Sequence, residues 1–419
     1  MKVLVIGGGG REHALVWSLS KSKHVNKIYS SPGNAGIAEL AECVDLSPNN
    51  FNAVVDFVKY EWIDLTIVCS EKLLAEGIVD VFEREGRSIL GPDKAAAQFG
   101  VSRVFAKNLM RLHGIPTAEY KVFSSYLQAQ DYIRLKSAPI VIKTDGRSER
   151  DGSFLASTAD EATNILKLIM EDGFFGDAGR YVIIEEQLTG DRLSFLALTD
   201  GKTVTPLTSL YADREDETGP SATVMGGCSP GYRVNEDLKA FVMEKIMDPL
   251  RKAFRSEGIN HKGFISADLI VNRDRAHVFE LNCCLTGLEA QTVLPRLRTD
   301  FVDMVSAVAG ERLSDSAIEM EQNEAVCIAS AMEGNPISTK GLTISGLGII
   351  KALKDVVVFH ENTSFSNSDI VTHGGKVICV TATGKDLKDA KAKAYQAIEK
   401  IHFEGMHYRK DIAEKILWE

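Results

Sequence analysis

The sequence lacks an excess of positive charge, a cysteine pair at metal-site spacing and a long apolar run. Its 48 Lys and Arg residues are outnumbered by 58 Asp and Glu residues, for a net charge of -10, whereas general nucleic-acid binders are usually basic. Its seven cysteines include no Cys-x-x-Cys pair, so we expect neither a zinc site nor a disulfide framework. Because no run approaches the ~18 apolar residues of a membrane span, we predict a cytoplasmic protein with no nucleic-acid and no membrane partner.

The composition is that of an ordinary globular protein. The chain has 419 residues, of which 44% are hydrophobic and 25% charged, and it is long enough for roughly two to four domains. Residues 1–92 alternate short apolar runs with helical patterns. Such βα units predict a small doubly wound parallel sheet, whose ligands bind at the carboxyl ends of the strands. We therefore predict an α/β fold that begins with a Rossmann-like parallel sheet.

Two glycine-rich loops follow the first two predicted strands. Gly7-Gly8-Gly9-Gly10-Arg11 lies between a strand and a helix, an arrangement whose backbone N–H groups face an anion. No acid follows about 20 residues later to hold a ribose, as it would in a dinucleotide site, and the Arg11 guanidinium suits a monophosphate. The second loop is Ser31-Pro32-Gly33-Asn34-Ala35-Gly36. We predict that the two loops enclose one small phosphorylated ligand; the alternative is two tight turns.

Residues 268–291 read as a β-hairpin with a polar turn at residues 272–275. Alternation along the strand predicts that Glu280 and Asn282 share one face with Val278. A carboxylate and an amide oxygen at a strand end suit a hard cation such as Mg²⁺. Asp268 adds a second carboxylate if a five-residue turn places it across from Glu280. The alternative is a solvated acidic edge.

Other stretches give coarser expectations. Residues 93–113 are predicted to form one helix, capped by Asp93, and residues 295–313 another. Residues 211–231 look irregular, which in a stretch of that length indicates function or disorder. Lys143 ends a buried apolar strand, so it either snorkels to solvent or meets a phosphate.

Short motifs spread over essentially the whole chain match those of a known enzyme family. Besides the two glycine loops, they are Gly91-Pro92-x-Lys94-Ala95-Ala96-Ala97, His113-Gly114-Ile115-Pro116-Thr117, Lys143-x-Asp145-Gly146, Glu185-Glu186, Thr218-Gly219-Pro220, Leu294-Pro295-Arg296-Leu297 and Phe403-Glu404-Gly405-Met406-x-Tyr408-Arg409-x-Asp411-Ile412. With these motifs the chain resembles the glycinamide ribonucleotide synthetase (phosphoribosylamine–glycine ligase) family of ATP-grasp ligases.

The resemblance implies an architecture. It consists of a Rossmann-like (preATP-grasp) substrate domain at residues 1–100, a linker helix region at 101–120, a small ATP-grasp lobe at 121–190 and a large lobe at 191–324. Residues 325–419 would form a small carboxy-terminal α/β domain resembling a barrel-sandwich. The resemblance leaves open whether the protein is a monomer or a homodimer.

The resemblance also implies a reaction that uses ATP and Mg²⁺. ATP phosphorylates the carboxylate of an amino acid, glycine in the family, and the amine of a phosphorylated substrate, phosphoribosylamine, attacks the acyl phosphate. Such a site needs cations around the phosphates and exclusion of water. The implied cofactor-binding residues are Arg103, Lys143, Glu185, Glu186, Gln187 and Leu188; the substrate-binding residues are Gly8, Gly9, Gly10, Arg11, Pro32, Gly33, Asn34, Gly36 and Glu71; the metal-binding residues are Glu280 and Asn282, with Asp268.

On the ATP side, the chain departs from the family pattern at positions that matter for chemistry. In the loop after Lys143, Arg150 and Asp151 replace a Gly and a Lys. A carboxylate at ~4 Å from a phosphate costs about 4 kcal/mol at an effective dielectric constant near 20. Arg192 stands where the acid for the ATP ribose belongs, and Arg103 replaces a Lys. Asp151 and Arg192 therefore predict weak binding of MgATP.

The substrate side departs as well. Cys284 and Gly287 replace an Arg and an Asp, Cys69 and Ser70 replace the Gly-Pro that precedes Glu71, and Asp268 replaces a Gly. Three interpretations follow: a working but divergent ligase, a catalytically silent paralogue that binds a sugar phosphate or a partner protein, and the ordinary synthetase. A fourth hypothesis, a nucleophile at Cys283 or Cys284, lacks a sequence-adjacent histidine.

Overall fold

The computed structural model describes residues 1–136, 138–146, 152–214, 224–231, 234–273, 275–332 and 340–417. The loop residues 147–151, with Arg150 and Asp151, and the motif Thr218-Gly219-Pro220 lie outside them. Within the described ranges, no helix is long and apolar enough to cross a membrane. None of the seven cysteines, all of which lie within the described ranges, forms a disulfide.

The amino-terminal part is a parallel sheet of five strands in the order β3-β2-β1-β4-β5. The central strand β1 is an apolar run whose residues Val3 to Ile6 are completely buried, as expected for a parallel sheet covered on both faces. This part confirms the predicted doubly wound sheet. Its elements are β1 Lys2–Gly7, α1 Gly10–Ser20, β2 Lys27–Pro32, β3 Glu42–Cys43, α2 Phe51–Tyr60, β4 Leu65–Val68, α3 Glu71–Glu76, α4 Ile78–Arg84 and β5 Ile89–Leu90.

Two helices, not one, connect this sheet to the next: α5 Lys94–Val101 and α6 Arg103–Leu112. Asp93 caps α5 as predicted, because its carboxylate accepts a hydrogen bond from Ala96 N at 2.7 Å. The prediction of a single helix is wrong at Ser102, whose backbone is extended (φ -108°, ψ 112°). The Ser102 hydroxyl accepts from Phe105 N and donates to Asp145 at 2.9 Å, so it caps α6 and joins it to the small lobe.

The small lobe is an antiparallel four-stranded sheet in the order β6-β9-β7-β8. Two helices pack together against it, and their apolar faces form a separate core with β7, β8 and β9. The elements are β6 Tyr120–Phe123, α7 Tyr126–Lys136, β7 Ile140–Thr144, β8 Ser153–Ala156, α8 Ala159–Met170 and β9 Val182–Glu186.

The large lobe contributes five strands to a nine-stranded sheet that continues into the carboxy-terminal part. The described parts of residues 211–231 are strands rather than irregular as predicted, because β11 extends to Arg214 and β12 begins at Val224; residues 215–223 lie outside the described residues. The predicted helix at 295–313 is also wrong in extent, since only Phe301–Ala309 is α-helical. The elements are β10 Asp191–Thr199, β11 Val204–Arg214, β12 Val224–Ser229, α9 Glu236–Val242, α10 Asp248–Ser256, β13 Gly263–Asn272, β14 Arg275–Asn282, α11 Gly287–Val293 and α12 Phe301–Ala309.

The carboxy-terminal part shares that sheet, whose order is β14-β13-β10-β11-β12-β15-β20-β17 with β21 paired to β15. A second sheet of three strands has the order β16-β19-β18. The predicted domain boundaries stay a prediction, although one sheet runs across residue 324. The elements are β15 Glu324–Met332, β16 Lys340–Thr343, α13 Leu347–Ile350, β17 Val356–His360, β18 Thr363–Ser366, β19 Asp369–His373, β20 Lys376–Gly384, α14 Leu387–Ile398, β21 Met406–His407 and α15 Glu414–Leu417.

Candidate active site

An open cleft of about 1440 Å³, including space shared with solvent, lies between the small lobe, the large lobe and the carboxy-terminal residues 409–415. Gln187 and Leu188, which follow β9, line it together with Arg192 and Phe279. Glu186 is exposed at the end of the same strand, where its carboxylate accepts a hydrogen bond from Glu119 N at 2.9 Å. Two of the six implied cofactor-binding residues, Gln187 and Leu188, therefore face the cleft.

Below this cleft, a carboxylate lies between two lysines. The two Glu185 oxygens lie 3.1 Å from Lys143 Nζ and 3.0 Å from Lys107 Nζ, and all three side chains are at most 3% exposed. Lys143 also donates to Phe279 O at 3.0 Å. Burial lowers the pKa of Lys143 to about 8. Burial alone would raise the pKa of Glu185, but the two lysines outweigh it and hold that pKa below its usual range. Lys143 therefore does not snorkel to solvent.

Arg103 joins the two lobes beside this group. Its Nε lies 2.9 Å from Glu280 Oε1, and its NH1 group donates to Thr144 O at 3.1 Å. The side chains of Arg103 and Glu280 are 12% and 15% exposed. A predicted phosphate-binding cation and a predicted metal ligand thus form an ion pair at the junction of the lobes.

The hairpin of β13 and β14 brings the predicted metal ligands together, but not through the predicted turn. Asn272 pairs with Arg275, so the turn is tight, and a register shift between Asp268 and Leu269 makes Phe279 an extra residue on β14. Beyond this β-bulge, Asp268 pairs with Glu280; before it, Leu269 pairs with Val278. Because a bulge changes which face later residues occupy, Val278 lies on the opposite face from Glu280. The sequence left the turn length open, and the bulge rather than a five-residue turn places Asp268 opposite Glu280. The predicted shared face with Val278 is wrong.

The face that carries Asp268 and Glu280 offers oxygen ligands. Ser266 pairs with Asn282 on that face, and Asn282 is buried at 2% exposure. Ser194 donates a short hydrogen bond to Asp268, and Arg192 lies 3.9 Å from the same carboxylate. Two carboxylates and an amide oxygen match what Mg²⁺ prefers. The donor set fits the metal, provided that Arg103 and Arg192 turn away from the two carboxylates.

Glu289 is a buried carboxyl near this face that the sequence analysis missed. It accepts hydrogen bonds from Thr286 N at 2.7 Å and from the Ser266 hydroxyl, and it belongs to the capping box of α11. Burial, followed by repulsion from Asp268, raises the pKa of Glu289 to about 7. The pattern Thr286-x-x-Glu289 is a capping-box sequence and was a usable signal.

The two glycine loops meet at the carboxyl ends of β1 and β2, as predicted from neighbouring strands. A Cβ added to Gly8 would lie 2.4 Å from Gly33 O, and one added to Gly36 would lie 2.4 Å from the His13 ring. The Asn34 amide donates to Gly8 O at 2.8 Å and to His360 O at 2.7 Å. Gly8, Gly36 and Asn34 therefore pack the two loops against each other and against the carboxy-terminal part. Pro32 lies exposed at the end of β2.

Two carboxylates receive the N–H groups at the start of α1. Glu12 accepts from Gly9 N at 3.0 Å, and Glu361 accepts from Gly10 N at 3.1 Å. Arg11 Nε lies 2.7 Å from Glu12, and its NH1 group donates to Leu285 O at 3.3 Å. Arg11 is therefore engaged by the protein at the predicted phosphate position. Nothing in the sequence pattern pointed to Glu361.

Glu71 lies where the substrate-side departures from the family pattern converge. One oxygen of Glu71 and the sulfur atoms of Cys283 and Cys284 all lie within 4.8 Å of one another. The Cys284 thiol donates to Cys69 O at 2.9 Å. Burial raises the pKa of the Cys69 thiol, which disfavours a thiolate there. Residues that the sequence singled out separately thus form one patch beside the glycine loops.

Comparisons with known proteins extend these observations over the whole chain. Family models described as phosphoribosylglycinamide synthetase match in three parts: the N domain at residues 1–100, the ATP-grasp (A) domain at 101–290 and the C domain at 325–415. Two curated relatives are named phosphoribosylamine–glycine ligase. The one from Caldanaerobacter subterraneus subsp. tengcongensis is 41% identical over 99% of both chains, and the one from Escherichia coli O157:H7 is 37% identical over 98% of both.

Solved structures give the same architecture. The phosphoribosylamine–glycine ligase from Thermotoga maritima superposes with a TM-score of 0.84 at 25% identity, covering 99% of this chain and 100% of that one. An L-amino acid ligase from Bacillus licheniformis, at 14% identity, has a TM-score of 0.68 over 96% and 98% of the two chains. The second likeness concerns the fold alone.

Proposed function

Because the chain belongs to the phosphoribosylglycinamide synthetase family, we propose that it is an ATP-dependent ligase that joins a carboxylate to an amine. The family assignment agrees with the resemblance drawn from the motifs and with its ATP-grasp fold. A match over the whole length supports the divergent ligase and does not favour the catalytically silent paralogue.

The observation that carries the proposal is the group of charges where the two lobes meet. Glu185 pairs there with Lys107 and Lys143, and Glu280 pairs with Arg103. The two charged atoms of each ion pair are 2.9 to 3.1 Å apart. Lys143, Arg103 and Glu280 line a small pocket that shares Phe279 with the cleft, so a triphosphate that extends from the cleft past Phe279 would compete with the carboxylates for these cations. Preorganised cations of this kind stabilise the charge on a transferring phosphoryl group.

Glu280, Asn282 and Asp268 are the residues that would hold Mg²⁺. Bound there, the ion would neutralise charge on the phosphate oxygens and orient them. The residues themselves contribute a fixed face: β13 and β14 align the three oxygens, and Ser194 orients Asp268 through its hydrogen bond. Gln187 and Leu188 would contact the adenine at the opposite edge of the cleft.

The reaction follows from the weakness of a free carboxylate as an electrophile. The terminal phosphoryl group of ATP moves to a carboxylate oxygen, leaving ADP. The nitrogen of the amine then attacks the acyl carbon, phosphate leaves, and the amine loses a proton. Closure of the small lobe over the cleft would exclude the water that otherwise hydrolyses the acyl phosphate.

The relatives' names suggest the substrates. We propose that the carboxylate is that of glycine or another amino acid, and that the amine is phosphoribosylamine or a related amine held near Glu71 and the glycine loops. The residues assigned by resemblance to the ATP, the metal and the substrates remain proposals, as do a cytoplasmic location and a monomeric or homodimeric state.

Product analysis with ATP, Mg²⁺, phosphoribosylamine and a panel of amino acids tests the function. We expect ADP to form only when both a carboxylate and an amine are present, with an amide of matching mass in the mixture. Reactions lacking the amine or the amino acid are the controls. Absence of ADP with every pair of substrates would contradict the proposed function.

A further inference from the structure

The amino end of α1 already holds a carboxylate of the carboxy-terminal part. Gly10 N donates to Glu361 Oε2 at 3.1 Å, while the neighbouring Gly9 N donates to Glu12. The N–H groups at a helix start attract anions. A Cβ added to Gly10 would lie 2.7 Å from the Glu361 carboxyl carbon, so the carboxylate sits directly against the glycine backbone. The predicted phosphate position is therefore filled by the protein itself.

Neutral donors fix Glu361 in this place. Gln291 Nε2 donates to Glu361 Oε1 at 2.7 Å, and the Cys379 thiol lies 3.9 Å from the same oxygen. The backbone is held as well, since Glu361 N donates to Val377 O at 2.9 Å. The carboxylate thus meets three donors, namely Gly10 N, Gln291 Nε2 and the Cys379 thiol, and these give it a defined position between β17 and β18.

Glu361 forms no ion pair with a Lys or Arg among the described residues. The neighbouring Arg11 pairs with Glu12 instead. The two imidazoles beside the loop are neutral near pH 7, because burial, aided by His360, lowers the pKa of His13 to about 3 and burial lowers that of His360 to about 4. An incoming phosphate would meet an uncompensated negative charge, which repels it.

Gln291 helps to place Glu361 at the start of α1. Its Nε2 group donates to Glu361 Oε1 at 2.7 Å and to Gly287 O at 3.0 Å, and this nitrogen lies 2.8 Å from a Cβ built on Gly10. Gln291 is 1% exposed, and its Oε1 atom has no hydrogen-bond partner among the described residues. The acceptor at the start of α1 is therefore the Glu361 carboxylate.

We propose that Glu361 is a specificity-determining residue that excludes a phosphate monoester from the start of α1 and favours a ligand that presents a hydroxyl or ammonium group there. This inference rests on the proposed function in one respect, namely that the glycine loops hold the amine substrate. It selects, among the related amines, those whose contact with α1 is a hydrogen-bond donor.

Calorimetric titration of the full chain with ribose 5-phosphate, without ATP, tests this inference. Glu361→Gln keeps the shape of the side chain and removes its charge; Glu361→Ala empties the anion position. We expect both variants to bind ribose 5-phosphate at least about tenfold more tightly than the wild type. Unphosphorylated ribose is the ligand control, and Glu399→Gln, an exposed change in the same part of the chain, is the matched protein control.

The outcomes separate this inference from the proposed function. Unchanged or weaker binding of ribose 5-phosphate by folded Glu361→Gln and Glu361→Ala proteins, checked by their melting temperatures, would overturn the inference. An equal gain for ribose would also overturn it, because the effect would not then concern the phosphate. ADP formation is measured in a separate reaction, so a failure of ligation leaves the binding result intact.

Discussion

The cleft between the lobes and the glycine loops both bury carboxylates, but their charges are balanced differently. In the cleft, Glu185 lies about 3 Å from two lysines and Glu280 lies 2.9 Å from Arg103. At the loops, Arg11 balances Glu12, while Glu361 meets only neutral donors. At the cleft, a phosphate can therefore replace a carboxylate as the ion-pair partner of a cation. The loops hold a carboxylate that opposes a phosphate.

This difference divides the departures from the family pattern into two kinds. In the cleft, Arg103 replaces a Lys and keeps the positive charge beside Glu280. On the substrate side, an Arg is replaced by Cys284, whose thiol bonds to Cys69 O, so that a cation is lost beside the glycine loops, where Glu361 lies. The ATP half thus keeps a positive charge beside Glu280, whereas the amine half loses one.

The largest expected effect is that of Lys143→Met. It leaves Glu185 paired with Lys107, so the loss of stability should stay below the ~3–5 kcal/mol that follows when a buried charge loses its only partner. Loss of a phosphate-stabilising cation lowers turnover roughly 10²–10³-fold. ADP formation and chemical denaturation measure the two effects, with Lys167→Met on the exposed face of α8 as the control.

Combining Lys143→Met with Glu185→Gln removes the charge of both partners. Because Lys107, 3% exposed, then has no carboxylate partner, we expect the stability of the double variant to stay below that of the wild type. Turnover should stay low, because the cation is still absent. Recovery of turnover in the double variant would mean that the lysine serves packing rather than phosphate, and the contrast between cleft and loops would then disappear.

Glu280→Gln should act through the metal. It removes one hard carboxylate ligand next to Asp268, so we expect the Mg²⁺ concentration for half-maximal ADP formation to rise and the maximal rate to fall roughly 10²-fold. Glu171→Gln, an exposed change at the end of α8, is the matched control. An unchanged response to Mg²⁺ would remove Glu280 from the metal site.

Much of this arrangement could be predicted from local sequence. Alternating apolar runs and glycines gave the parallel sheet and the position of both loops, and a lysine at the end of a buried strand pointed to the cleft. The sequence also allowed Asp268 to lie opposite Glu280, but only through a five-residue turn. A β-bulge at Phe279, which no Gly or Pro marks in the sequence, brings Asp268 opposite Glu280.

The rest depends on contacts between residues far apart in the chain. Glu361 lies 351 residues from Gly10 and 70 from Gln291, so no motif could place it on α1. The break at Ser102 likewise comes from a contact with Asp145 in another lobe. Tertiary contacts of this kind override local helix propensity.

Glu289 should make stability depend on pH. Its folded-state pKa is about 7, raised from 4.5, so the folded protein keeps a proton that the unfolded chain releases. The contribution of Glu289 to the free energy of unfolding is complete below pH ~4.5. This contribution, up to roughly 3 kcal/mol, is lost as the pH rises through ~7. Denaturation of the wild type and Glu289→Gln at several pH values measures it.

In that series, the unfolding free energy of Glu289→Gln should rise relative to that of the wild type as the pH increases from ~4.5 to ~7. Exposed Glu404 supplies the control, Glu404→Gln, which should follow the wild type. Parallel curves for wild type and Glu289→Gln would show that Glu289 ionises as an ordinary carboxyl and that Asp268 does not influence it.

Arg192→Ala should have the smallest effect and sharpens the contrast within the cleft itself. Arg192 is 24% exposed, 3.9 Å from Asp268, and its guanidinium carbon lies 4.1 Å from the centre of the Phe279 ring. A partly exposed ion pair and a cation–π contact each contribute at most about 1 kcal/mol. We therefore expect a change in MgATP affinity of less than about tenfold by calorimetry. A larger loss would make Arg192 an ATP ligand like Lys143, while a larger gain would show that it obstructs the nucleotide as Glu361 is proposed to obstruct a phosphate.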